Sequence, residues 1–411
     1  MPTETAAGAA PASGYRSVFR VREFRAVFAA HLVSVLGVVV AEIALTVLVY
    51  RLTGSPLLSA LTFALGFLPY AVGGTLLAGL ADRYPARRLL VGCDLVCAAA
   101  AAAMVLPGTP VALLLGLRCV MALVAPLFQG TRAASLPDVL GDGDAFVLGR
   151  SLLRMVAQGA LLAGFGLGGL LLTVIQPRAA LVLTAAGFAG SALLLRLGTR
   201  ARPPRSGGGP RTSPFAGFRA VFGDRWLRAL TLLFWVPPLF LVVPEALMAP
   251  YAEGLGAGPA ALGLLMCALP VGTVAGELWA GSALGPRARA RITVPLAAVG
   301  LLPLAGYAVR PGLAAALALL LLAGLAHAHT LGLDQWYVAA LPEELRGRAM
   351  TLLSTGLMTL QGAGMAAAGL AAEFLPVHLV VAGAGVLGTL CVAVLLGEVV
   401  RSRNETALST K

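Results

Sequence analysis

Charge is scarce in this 411-residue chain. Asp, Glu, Lys and Arg make up 12% of it, against the ~25% of an ordinary soluble domain, while apolar residues make up 59%. With so little polar surface to coat a globule, a soluble fold is excluded and lipid must solvate most of the chain. Lysine is nearly absent: Lys411 is the only one, so the formal net charge of +12 is carried by arginine. The arginines sit in short groups between apolar stretches and form no single patch interleaved with aromatics. That excludes a nucleic-acid surface and matches the way topology signals are spread through membrane proteins. The five cysteines, Cys93, Cys97, Cys119, Cys267 and Cys391, all lie in apolar segments and form no CxxC pair. They read as packed thiols, not as a metal site or a disulfide. No HExxH, no GxSxG with a His partner and no GxxxxGK[ST] occurs, so no enzyme, no ATP-driven pump, no cofactor and no metal is expected. Residues 1–25 are polar and basic with no short apolar core, so a cleavable signal peptide is not expected either.

What the chain does have is apolar runs of spanning length. A hydrocarbon core ~30 Å thick needs about 20 apolar helical residues. Twelve runs qualify: 27–50, 57–81, 88–106, 110–134, 147–175 and 178–198, then 227–251, 260–284, 290–308, 312–341, 349–372 and 376–399. The breaks carry turn residues, as in "TGSP" (53–56), "LPGTP" (106–110) and "GAGP" (256–259). Arginines gather in the amino-terminal tail, the second–third loop, the middle stretch, the eighth–ninth loop and the tenth–eleventh loop, and the alternate loops are nearly free of charge. An even number of spans with both termini on the arginine-rich side puts both termini in the cytoplasm.

The stretch "GTRARPPRSGGGPRTSPFAGFRA" is rich in Pro, Gly, Ser and Arg, cannot bury a core, and reads as a linker. The expected organisation is a cytoplasmic tail (1–25), a six-helix bundle (26–198), a cytoplasmic linker (199–225), a second six-helix bundle (226–400) and a cytoplasmic tail (401–411). The halves repeat each other: 203 positions beyond Glu42, Pro56 and Arg88 stand Glu245, Pro259 and Arg291.

Within this apolar chain, "GLADRYPARRLL" (79–90) places Asp82, Arg83, Arg87 and Arg88 within seven positions. It resembles the loop between the second and third helices of major facilitator superfamily transporters, although Pro85 and Ala86 depart from that pattern. The resemblance runs from about residue 20 to 400. It implies an all-α membrane protein of twelve transmembrane helices in two pseudo-symmetric six-helix bundles, and it makes Asp82, Arg83, Arg87 and Arg88 a gating loop. An aspartate at a helix end can also accept from the orphan N–H groups of a facing helix. "LRCVMALVAPLFQGTRAASLPDVL" resembles the fourth helix and following loop of drug and metabolite exporters, with Arg118 at their intramembrane arginine. "GFGLGGLL" (164–171) resembles the fifth-helix glycine motif of the antiporter branch, with Phe165 where a proline is usual. Its Gly164, Gly168 and Gly169 also permit close helix contact on their own account.

Ionisable residues inside hydrocarbon are expensive and need a reason. Glu42, Arg118 and Glu245 lie at comparable depth in the first, fourth and seventh spans, which the resemblance implies line a central cavity. They are the expected proton-coupling and substrate groups, with Asp334, nearer the cytoplasm in the tenth span, as a further candidate. The other reading of Glu42 and Glu245 is a static polar lock. Asp94 and Glu277 read as partners of loop arginines. His327 and His329, two apart, are expected on different helix faces. Four prolines in "LLFWVPPLFLVVPEALMAP" predict a bent seventh helix. The expected function is a secondary transporter of the cell (plasma) membrane, a monomer, that exports small amphipathic compounds against inward proton flow. Its partners are then a small-molecule substrate, protons and the lipid bilayer. The alternatives are an uptake or facilitative carrier of the same fold or, last, a membrane sensor or enzyme.

Overall fold

A computed structural model of the chain describes residues 15–77, 80, 83–141, 144–202, 218, 221–341 and 343–409. After a short helix, Tyr15–Arg20, the first half consists of α1 (Arg22–Thr53), α2 (Pro56–Leu76), α3 (Ala86–Val105), α4 (Val111–Leu140), α5 (Asp144–Val174) and α6 (Pro177–Gly198). The second half consists of α7 (Arg225–Gly254), α8 (Pro259–Ala283), α9, α10, α11 (Glu343–Ala371) and α12 (Val377–Ser409). Two helices come in pieces. α9 is Pro286–Val299 continued by Leu302–Ala305 and a 3₁₀ turn, Gly306–Val309, and α10 is Leu313–Ala326 followed by His329–Ala340. No strand occurs among the described residues.

Local chemistry sets the helix ends. Pro56, Pro177, Pro259 and Pro286 each open a helix, where the missing N–H costs no bond. The repeat partners Pro56 and Pro259 thus start the second helix of each half. Ser55 caps α2 by accepting from the Leu58 amide at 3.2 Å, and Asp224 caps α7 by accepting from the Leu227 amide at 2.8 Å. Gly54 ends α1 at φ 65°, a left-handed conformation that glycine adopts without strain. Arginines serve the opposite ends: Arg310 donates to the Gly254 carbonyl of α7 at 2.9 Å, and Arg289 to the Ala280 carbonyl of α8 at 3.0 Å.

Nine helical segments among the described residues are long and apolar enough to cross a membrane. α2 and α5 contribute shorter apolar stretches, and α11 completes the twelve. This is a multi-pass membrane protein, and twelve crossings return Tyr15 and Ser409 to the same side. α7 runs unbroken through Pro237, Pro238, Pro244 and Pro250. α10 is interrupted with no proline at the break. There His327, Ala328, Thr330 and Leu331 donate to carbonyls three residues back, a 3₁₀-type tightening.

The halves meet mainly through α2 with α11 and α5 with α8. Their closest approaches lie toward the end remote from the chain termini, the far end. A Cβ on Gly169 would lie 2.5 Å from the Gly263 Cα, and one on Gly369 would lie 2.7 Å from the Ala60 Cβ. Glu373, just past α11, accepts from the Leu57 amide at 3.1 Å and from the Ser55 hydroxyl, so a carboxylate of one half caps a helix of the other.

Candidate functional site

α1 and α4 run antiparallel and turn matching stripes toward a cavity of about 360 Å³. His31, Ser34, Val38 and Glu42 recur at helical spacing on α1, as do Arg118, Met121, Ala125, Phe128 and Arg132 on α4. Phe67 and Tyr70 of α2 and Phe188 of α6 add aromatic wall, and Met358 of α11 comes from the second half.

The far-end limit of the cavity is a buried ion pair. Arg118 Nη2 lies 2.6 Å from Glu42 Oε1, and Arg118 Nε donates to the Thr62 carbonyl at 3.2 Å. Buried charges persist only when paired and hydrogen-bonded, and both conditions are met here. Gly66 makes the space: a Cβ there would lie 2.2 Å from Arg118 Nη2 and 3.1 Å from Glu42 Oε1.

Toward the terminal side lies a second polar cluster that sequence reasoning did not assemble. Arg132 Nη1 contacts His31 Nδ1, and His31 Nε2 lies 3.2 Å from the Leu153 carbonyl. A guanidinium can only donate and a carbonyl can only accept, so His31 is the neutral tautomer with its proton on Nε2. The Arg132 guanidinium also lies 5.4 Å from the Phe128 ring centroid. Asp94 belongs to this cluster and not to the loop arginines. It is 2% exposed and accepts from the Ser34 hydroxyl at 3.1 Å and the Ser191 hydroxyl at 2.5 Å. Two helical turns inside α3, it lies too deep to meet arginines at the membrane edge.

Glu245 stands apart from the Glu42–Arg118 pair. It lines a small void among α7, α8 and α10, within the electrostatic reach of Glu42. It makes no hydrogen bond or ion pair with another described residue. Asp334 is exposed and lies within electrostatic reach of Glu277, away from the first-half cavity. Glu277 likewise pairs with no described loop arginine; Arg289 is engaged with the end of α8. His327 and His329 are not on different faces, because the tightened break in α10 brings their ring centroids to 5.5 Å. No group of three or more metal-binding side chains occurs among the described residues.

The fifth-helix glycines are contact points. A Cβ on Gly164 would lie 2.7 Å from the Val39 Cβ, and one on Gly168 would lie 2.9 Å from the Ile43 Cδ1, both on α1, while Gly169 faces Gly263 of α8. In the second–third loop, Asp82 lies outside the described residues. Arg83 and Arg88 are exposed, and Arg87 donates to the Arg196 carbonyl near the end of α6.

Two six-helix halves, the first holding a polar-ended cavity that Met358 of the second also lines, fit a membrane transporter of small molecules. Residues 27–338 match the family model of the Major Facilitator Superfamily, and the chain belongs to that family. It resembles a bacterial homolog of the human lysosomal transporter Spinster, in an inward-facing and unoccupied conformation, with a TM-score of 0.65 and 16% identity over 96% of each chain. It also resembles a POT family transporter in complex with 5-aminolevulinic acid, with a TM-score of 0.73 and 10% identity over 94% of this chain and 97% of that one. Macrolide efflux protein A of Streptococcus pyogenes is 33% identical over 78 residues, which is 19% of each chain. The chain therefore spans about a fifth of that relative's length in the match.

Proposed function

We propose that this transporter exports small amphipathic compounds in exchange for protons by alternating access. Glu245 carries the proton, and Glu42 and Arg118 sense its state. One observation carries the reading. The repeat partners Glu42 and Glu245 are carboxylates on α1 and α7, and among the described residues only Glu42 has a counter-ion. A carboxylate without a cation in hydrocarbon gains most by binding a proton and must release it when the site is rewetted. Asp334 is the next candidate for the coupling acid.

In this reading both termini are cytoplasmic, the membrane is the plasma membrane, and the working unit is a monomer. The packed far end is then the outer side, and the cavity serves the cytoplasmic side. Asp82, Arg83, Arg87 and Arg88 form the gate that closes the cytoplasmic side, opposite the Glu373 contact. Residues 1–25, 199–225 and 401–411 are cytoplasmic, flanking bundles at 26–198 and 226–400. The local match to a macrolide efflux protein and the exporter-like fourth helix favour export.

The test is whole-cell accumulation of a panel of dyes and antibiotics in an expressing strain, with and without a protonophore. Export predicts lower accumulation that the protonophore restores. Accumulation that is raised by expression and abolished by the protonophore would make the chain an uptake carrier.

A further inference from the structure

The two arginines on the cavity face of α4 differ in a way that bears on substrate. Fourteen residues, four turns, separate Arg118 from Arg132, so they share one face about 21 Å apart at ~1.5 Å per residue. Arg118 is neutralised by Glu42 at 2.6 Å. Arg132 has no carboxylate within ion-pair distance among the described residues. Its contacts are the neutral His31 nitrogen and the Phe128 face. Asp94, the nearest acid acting on it, has one oxygen held by the Ser34 hydroxyl and the other by the Ser191 hydroxyl. A guanidinium has five N–H donors in one plane, and His31 takes one of them. Two contacts fix that plane, the His31 lone pair and the Phe128 ring. The remaining donors belong to a cavity whose wall between the two arginines is apolar and aromatic: Val38, Phe67, Met121, Val124 and Phe188. A carboxylate, phosphate or sulfonate matches such a fork bidentately, and the apolar wall matches a hydrophobic body.

We propose that Arg132 is the anion-recognition residue of this cavity, with His31 as its positioning residue, and that the substrates are amphipathic acids. The inference rests on the transporter reading but concerns binding, which is measurable without transport. The geometry orders the ligand: acidic group toward Arg132, apolar body toward the Glu42–Arg118 pair. The site has a built-in orientation because Arg132 is held from behind by a group that cannot itself be an anion.

The experiment uses the full chain in nanodiscs of zwitterionic lipid, with empty nanodiscs as the blank. The probes are 1-naphthaleneacetic acid, 1-naphthaleneacetamide and 1-naphthylmethylamine, one ring with three head groups, followed by titration calorimetry. The acid should bind about tenfold or more tightly than the amide, the difference expected of a charge-assisted bond. Arg132→Gln should bring the acid-to-amide ratio close to one while leaving amide binding in place. Arg132→Lys should keep part of the preference. His31→Gln, which can still accept from Arg132 and donate to Leu153, should keep the ratio, and His31→Leu should move it toward that of Arg132→Gln. A purely structural role for either residue would weaken all three probes together. If a variant fails to fold, the wild-type ranking still decides. Equal binding of the three, strongest binding of the amine, or no measurable binding of the acid would overturn the proposal. Flux of the bound acid into proteoliposomes is read separately. Selective binding without flux would keep the site and sink the transport reading.

Discussion

The Glu42–Arg118 pair is a buried contact whose strength depends on a residue that has no side chain. Removing one member leaves the other charge in hydrocarbon, so Arg118→Ala should lower stability by about 3–5 kcal/mol. Thermal unfolding in detergent, read with Glu42→Gln and the double variant, should show the double costing much less than the sum of the singles. Gly66→Ala should act like a weaker version of Arg118→Ala, because its Cβ would overlap the guanidinium. An unchanged melting temperature for Gly66→Ala would mean that Arg118 swings clear at no cost. Glu42 and Arg118 could be read from sequence because charge in the middle of an apolar run has few explanations. The role of Gly66 was not legible, since nothing local separates it from the other glycines. Arg132 and His31 were hidden differently. The fourth span was expected to end at 134, two residues past Arg132. In the structure α4 continues to Leu140 and places it about two turns inside.

Helix elements meet through small residues and through one charged cap at the far end. The Glu373 carboxylate satisfies the α2 amino terminus from the opposite half, where the helix dipole favours a negative charge. Glu373→Gln should weaken that contact and shift the population toward a state open at the far end. Spin labels at Thr109→Cys and Gly312→Cys, in a background free of the native cysteines, should then report a longer mean distance. An unchanged distance distribution would reduce Glu373 to a helix cap. Gly169→Val should have a related effect through bulk, since α5 and α8 touch backbone to backbone there. The glycine contacts were legible as a motif, but their partners on α1 and α8 were not, because partner choice belongs to tertiary packing. The break in α10 was not legible for a similar reason. Four prolines predicted a bent α7, which is one continuous helix, while α10 tightens at His327 without a proline. Its neighbour Gly324 is pressed to within contact of the Leu269 carbonyl of α8.

At the scale of the molecule, the twelve-helix count, the two halves and their repeat all follow from apolar run length, turn residues and arginine placement. The repeat survives in three dimensions: Pro56 and Pro259 open equivalent helices, and Glu42 and Glu245 occupy equivalent ones. The described far-end contacts join the halves across α2–α11 and α5–α8, while the cavity lies on the terminal side of the Glu42–Arg118 pair. A state closed at the terminal side needs its own lock, and in the proposed reading the Asp82 loop supplies it. Asp82→Asn should therefore slow transport in proteoliposomes while expression stays near wild type, and a wild-type rate would leave the loop with topology alone.

The account turns on Glu245, the carboxylate with no counter-ion among the described residues. Its most direct test is a proteoliposome assay with a pH-sensitive dye inside, an imposed pH step and the amphipathic probes added outside. The wild type should show probe-dependent proton movement and uphill probe transport. Glu245→Gln keeps the shape and hydrogen-bonding capacity of the side chain but cannot titrate, so it should lose both and keep probe exchange at equal pH. Uphill transport with normal proton movement in Glu245→Gln would contradict the account and make Glu245 a structural lock.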